Sequence, residues 1–207
     1  MARPKSATHD LKRDAILDIA AQCFAERSYP AASMNEIAAA CGTSKARLYH
    51  YYESKDAILF DLLDRHTQRL LTLIAQTEAK AERENLDDRA ALHALVRAFL
   101  QEYETSATRH AALLNDTKFL STEPEALAAG VSARELILNR QRDIVAAMTR
   151  FLKRAYPGRL TPANQTALTM MLLGMINWTF TWLRPNGPMS YAAFADEVVQ
   201  MLEKGLG

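Results

Sequence analysis

The chain is poor in the residues that crosslink or punctuate small proteins, with 2 Cys, 7 Gly and 7 Pro among 207 residues. Two cysteines cannot make a disulfide scaffold, and no third or fourth ligand stands at zinc spacing from Cys23 and Cys41. Both sit among apolar or small residues and read as small buried hydrophobes rather than a redox pair, so a reducing cytoplasm is the expected compartment. The low glycine and proline content excludes collagen-like and disordered chains. Period-two alternation, internal repeats and low-complexity stretches are absent, so no sheet or solenoid is expected. The most apolar run, 168–183, is shorter than the ~20 residues of a membrane span and includes Asn177, Thr179 and Thr181, which makes it a buried helix. The first residues lack an apolar signal core.

Charge of one sign is missing too. The net charge is +1, so any surface for a polyanion must be local. No nucleophile, base and orienting group stand in a recognisable set, and no glycine-rich phosphate loop is present. His50 and His66 are too far apart to pair as ligands. An enzyme is therefore not expected; no catalytic residue, metal site or cofactor is assigned.

What is abundant is alanine, leucine and charge, which points to an all-α fold. After an arm over 1–8 carrying Arg3 and Lys5, apolar spacing of three and four predicts a first helix over 10–27. Ser28, Tyr29 and Pro30 end it, because a residue before proline avoids helical geometry. Further helices are predicted over 34–41, 45–51, 55–82, 87–105, 108–115, 124–154, 162–183 and 190–205. Ser33 with Glu36 forms a capping box, and Gly42 suits a left-handed turn. Thr43 or Ser44 caps the third helix and Ser54 the fourth. Thr161 and Pro162 read as an N-cap and a first helical residue.

The short helix pair around Gly42 has the layout of a helix-turn-helix reader of DNA. A recognition helix puts its first turn into a major groove ~12 Å wide while the preceding helix crosses the backbone. Lys45 and Arg47 stand where guanine edges would be read, and Ala46 is small enough for close approach. Thr43 and Ser44 hydroxyls suit phosphates, as do the polar tips of Tyr49 and His50. Lys55 opens the next helix, where a cation and free N–H groups favour a phosphate. Leu48 belongs on the buried face, against Ile37 and Ala38.

Residues 11–62 resemble the DNA-binding domain of tetracycline-repressor (TetR) family regulators. The matching residues are Ile16, Ala20, Ala21, Phe24, Ser33, Ile37, Ala38, Gly42 through Lys45, Leu48 through Tyr52, Lys55 and Leu59. The resemblance implies a three-helix DNA-binding head over 1–54 and a larger helical ligand-binding and dimerisation body over 55–207. It also implies that Tyr49, His50 and Lys55 hold phosphates, with Ser33 beside them, and that Thr43 to Arg47 face the groove. Three positions depart from the family pattern: Ser28 replaces a glycine, Arg47 a smaller residue and Tyr52 a phenylalanine.

In the body, 162–183 carries two apolar faces, Leu168, Met171, Met175, Trp178 and Trp182 on one and Leu172, Ile176, Phe180 and Leu183 on the other. Such a helix needs burial on two sides, and pairing it and 190–205 with their copies would make a two-fold homodimer. Tyr103, Met148, Phe119, Met170, Met171, Met175 and Trp178 are either ordinary core or the lining of an adaptable apolar pocket. Asn115, Asp116, Lys118 and Asn177 are polar residues amid this apolar matter, and Arg109 and Lys118 suit an anionic ligand.

Residues 114–120 and 174–188 resemble a TetR subgroup that regulates acyl-CoA catabolism, including phenylacetate, fatty-acid and steroid breakdown. That resemblance implies an acyl-CoA thioester as effector, with Lys118, Arg134, Arg140 and Arg142 as candidates for its phosphates. A ligand-responsive repressor on a palindromic operator is thus expected. The alternative is a helical regulator or adaptor that answers to another apolar ligand or a protein partner.

Overall fold

The computed structural model describes residues 5–123 and 130–206. Among them are ten α-helices, a single-turn 3-10 helix at Thr117–Phe119, and no strand. The all-α expectation holds. The helices are α1 Lys5–Arg27, α2 Met34–Ala40, α3 Lys45–Tyr49, α4 Lys55–Glu84, α5 Asp88–Thr105, α6 Ala107–Asp116, α7 Ala133–Ala155, α8 Gln165–Asn177, α9 Thr179–Trp182 and α10 Tyr191–Leu206.

The chain forms two compact units, one of residues up to His66 with 111–138, the other of 67–110 with 139–207. In the first, α1 turns Ile16, Leu17, Ala20, Ala21 and Phe24 inward, where they share a core with Ile37, Leu48, Ile58, Leu59 and Leu62. Full burial of each large side chain is worth about 1.5–3 kcal/mol. A polar network flanks this core. Arg13 donates to Asp61 at 3.0 Å, the Tyr52 hydroxyl donates to Asp61 at 2.7 Å, and Arg65 donates to Asp61 at 3.0 Å. Arg13 also donates to the Tyr52 oxygen at 3.2 Å, so the hydroxyl that departs from the family's phenylalanine is paired twice.

In the second unit, α10 lies along α5, with Tyr191, Ala195, Val198 and Leu202 buried, as are Leu92, Leu95, Val96 and Phe99. Arg97 of α5 clasps Asp196 of α10 through two nitrogens, at 3.0 and 2.7 Å. Leu172, Leu173 and Ile176 of α8 are buried, but Met171, Trp178, Trp182 and Met201 are 65%, 51%, 49% and 62% exposed.

Four elements differ from the sequence reading. α1 begins at Lys5, so the arm is helical from that residue; Arg3 lies outside the described residues. α7 begins at Ala133 rather than 124, capped by Ser132, whose hydroxyl accepts the Glu135 N–H at 3.2 Å. Gly130, with φ +65°, precedes that start, and 124–129 lie outside the described residues. Pro162 sits in a turn before α8, whose N-cap is Asn164. The predicted helix 162–183 is broken at Trp178, where α8 stops and the single turn α9 follows. Finally, α3 ends at Tyr49, with His50 as its C-cap.

Candidate nucleic-acid interface

α2 is fixed by its cap. The Ser33 hydroxyl accepts the Glu36 N–H at 3.3 Å, and Glu36 accepts the Ser33 N–H at 2.9 Å. Hydrogen bonds from the Ser33 hydroxyl and N–H hold the Glu36 carboxyl below the usual range, with Arg27 adding charge at 2.7 Å. Gly42 then turns the chain at φ +61°, and its N–H and that of Thr43 satisfy the carbonyls of Ala39 and Ala38. Ser44 restarts the helix, accepting the Arg47 N–H at 3.2 Å.

α3 has five residues, too few to be stable alone, so its position depends on that cap and on Leu48, which is fully buried. Burying Leu48 directs Lys45, Ala46, Arg47, Tyr49 and His50 outward, and all five are exposed; Thr43 is half-buried. The Lys45 ammonium lies 5.7 Å from the centre of the Tyr49 ring. Ser33, Asn35, Lys45, Tyr49 and Lys55 line one shallow groove beside α3.

Two residues expected at DNA have work inside the fold. The Ser33 hydroxyl also donates to Glu36 at 2.8 Å, so it serves the cap. Lys55 donates to the carbonyls of Tyr29, Pro30 and Ala32 at 2.7, 3.3 and 2.8 Å, and lies 4.4 Å from the Tyr29 ring centre. An ammonium has three N–H groups, and here all three are directed at the loop after α1 rather than at solvent.

The residues expected to hold an effector fall into separate groups. In the second unit the Tyr103 hydroxyl, buried, donates to Asn177 at 3.1 Å, and its ring stacks on His110 at 3.7 Å. Burial pushes that phenol well above its ordinary range. Met175 is half-buried, while Met171 and Trp178 are on the exposed face with Trp182. In the first unit Asn115, Lys118 and Phe119 are exposed and Arg134 is half-buried. Phe119 stacks on Tyr29 at 5.2 Å, and Lys118 lies 5.1 Å from the Phe119 ring.

Sequence reasoning missed Tyr29, which looked like a helix terminator before Pro30, and the partnership of Arg13 with Asp61, 48 positions apart. Among the described residues no three His, Cys, Asp or Glu side chains gather where a metal could sit, and no helix is long and apolar enough to cross a membrane.

Comparison with known proteins bears on both halves. The family described as bacterial regulatory proteins, tetR family, matches residues 16–62, and the one described as tetracyclin repressor-like, C-terminal domain, matches 85–206. The HTH-type transcriptional activator FasR of Mycolicibacterium smegmatis is 27% identical over 199 residues, 95% of this chain and 84% of that one. A TetR-family transcriptional regulator from Bordetella parapertussis has a similar crystal structure, with TM-score 0.82 and 34% identity over 93% of this chain and 94% of that one. The structure of AibR in complex with isovaleryl coenzyme A and operator DNA matches with TM-score 0.74 and 25% identity, over 92% and 97% of the two chains.

Proposed function

Because the chain belongs to the TetR family of transcriptional regulators, and is not an enzyme, we propose that it is a dimeric repressor that leaves a palindromic operator when it binds an acyl-CoA thioester. In this reading residues 1–54 are the DNA-binding domain and 55–207 the ligand-binding and dimerisation domain. The observation that carries it is α3: a capped helix held by Leu48, with Lys45, Arg47, Tyr49 and His50 all turned outward. Lys45 and Arg47 read base edges, Arg47 with two bonds to one guanine. Thr43, Ser44, Tyr49 and His50 set the register on phosphates, the Ser44 hydroxyl donating while it accepts from Arg47 N–H. Ser33 and Lys55 hold the approach to α3 in shape.

The exposed apolar face of Met171, Trp178, Trp182 and Met201 supports a second copy as its cover. A two-fold dimer places two recognition helices ~34–36 Å apart, one helical turn of DNA. An effector that alters the spacing is then reciprocally coupled to DNA affinity. The isovaleryl coenzyme A of AibR supports the acyl-CoA class. Within the second unit, the hydrogen-bonded pair Tyr103 and Asn177, with Met175 two residues before Asn177, is assigned to the acyl group. FasR carries the name of an activator; a reporter on the same promoter, rising or falling when the gene is deleted, separates repression from activation.

Fluorescence anisotropy on DNA upstream of the protein's own gene, across salt, tests the reading. Specific, salt-sensitive binding that falls for Tyr49→Ala and Lys55→Ala is expected. Acyl-CoA thioesters should release the DNA while the free acids do not. A folded protein that binds no palindromic promoter fragment would sink the DNA assignment, and equal release by acid and thioester the effector assignment.

A further inference from the structure

We propose that Tyr29 is a positioning residue through which the turn Thr117–Phe119 sets the recognition helix; this rests on the DNA-reading role of α3 given above. Tyr29 stands in the loop between α1 and α2 and is 5% exposed. Two bonds tie it to the first turn of α4. Its hydroxyl donates to Asp56, and its carbonyl accepts from Lys55 at 2.7 Å. The same Lys55 ammonium takes Ala32 O at 2.8 Å, one residue before the Ser33 cap of α2. The path from Tyr29 to α3 is then short. It runs through the capped helix α2 and the Gly42 turn, both held by backbone hydrogen bonds.

The other side of Tyr29 faces a segment distant in sequence. Its ring meets Phe24 edge-on at 5.1 Å and stacks on Phe119 at 5.2 Å, with 24° between the planes. Phe119 is 37% exposed, so burial alone is a weak reason for its place. The stacked pair explains why the ring lies where it does. The turn that carries Phe119 is tied to the end of α6, where the Thr117 hydroxyl donates to Leu113 O at 2.6 Å. Burial and the carboxylates of Asp56 and Asp116 keep the Tyr29 proton on its oxygen at any physiological pH. The link therefore answers to the position of the turn and not to protonation. A shift of α6 moves Phe119, Phe119 moves or frees Tyr29, and Tyr29 carries the loop that caps α2.

Two measurements on the full chain test this. Hydrogen exchange of the free protein reads the link without DNA. Phe119→Ala, and Phe119→Leu as the variant that keeps apolar volume, should raise exchange in residues 28–36 about threefold to tenfold, the factor expected for loss of one aromatic pair. Phe119→Tyr, which keeps the stack, should restore it. Anisotropy on the promoter fragment should show a loss of affinity by a similar factor with the salt slope unchanged, because no phosphate contact is removed. Exchange within twofold of wild type overturns the proposal whatever DNA does. So does faster exchange with unchanged affinity in a protein that binds the fragment. Faster exchange in a protein whose wild type binds no DNA would support the link and sink the DNA reading alone.

Discussion

Ser28 is held at φ +67°, the left-handed region that a side chain resists, at the corner where α1 gives way to the loop before α2. Its carbonyl accepts the Ala32 N–H at 3.1 Å, which fixes that conformation. A Cβ in this region costs about 1–2 kcal/mol. Ser28→Gly removes the cost, but glycine's larger freedom in the unfolded chain returns about 0.5–1 kcal/mol. Taken at mid-range, the two leave a stabilisation of about 0.7 kcal/mol. In a chain of 207 residues that raises the thermal midpoint by about 1–4 °C. Far-UV circular dichroism melts of wild type, Ser28→Gly and Ser28→Ala measure it. Ser28→Ala keeps the Cβ and should leave the midpoint within a degree or so of wild type, and Ser28→Val should lower it, since a β-branched side chain resists this region most. A glycine variant that melts at or below wild type would refute the strain argument. Equal gains for glycine and alanine would locate the effect in the hydroxyl instead.

Three further variants each change one side chain. Tyr52→Phe removes a hydroxyl bonded to both Asp61 and Arg13 and should cost about 0.5–1.5 kcal/mol in urea unfolding. Burial works against ionisation of Asp61, but Tyr52, Arg65 and Arg13 more than offset it and hold its carboxyl below the usual range. The stability this gives is present above the unfolded value of about 4 and lost as pH falls through the folded one, so Tyr52→Phe should unfold at a higher pH in an acid titration. Burial likewise holds the His93 imidazolium below its ordinary range, even with Glu203 at 3.7 Å. That contribution is complete above about pH 6.5 and is lost as pH falls through the folded value; His93→Gln should flatten the stability curve in that window. Trp178→Asp should yield a monomer by sedimentation at micromolar concentration with its helix content intact, because Trp178 is half exposed and its burial is not needed by the monomer.

The helix-turn-helix was legible because its signals are local. Ser33, Gly42, Ser44 and the outward set on α3 all act within a few residues of themselves, and the capping box appears in the structure as read. Helix ends with weak signals were not legible. Nothing in Lys5 to His9 breaks a helix, so α1 extends to Lys5 without an added cap. The break at Trp178 escapes periodicity, because the Thr179 and Thr181 hydroxyls donate back to Ile176 O and Trp178 O inside an unbroken apolar pattern. In the sequence Lys55 reads as a phosphate-holding cation at a helix start, and its carbonyl partners are not visible there. Its partners are carbonyls 23 to 26 positions upstream, and only the closed loop brings them within reach. The pairing of Tyr29 with Phe119 is of the same kind: each residue looks ordinary where it stands, and the contact exists only in three dimensions.

The DNA-reading role proposed for α3 falls on a helix of only five residues. Its place in the first unit is set by Leu48 and the Ser44 cap, while Lys45, Ala46 and Arg47 are exposed. On the proposed DNA-reading role, the residues that choose the sequence and the residues that keep the shape are therefore different residues. On that reading, exchanges at 45–47 would redirect the protein to a new operator at a folding cost of about 0.5 kcal/mol or less each, as for other exposed side chains.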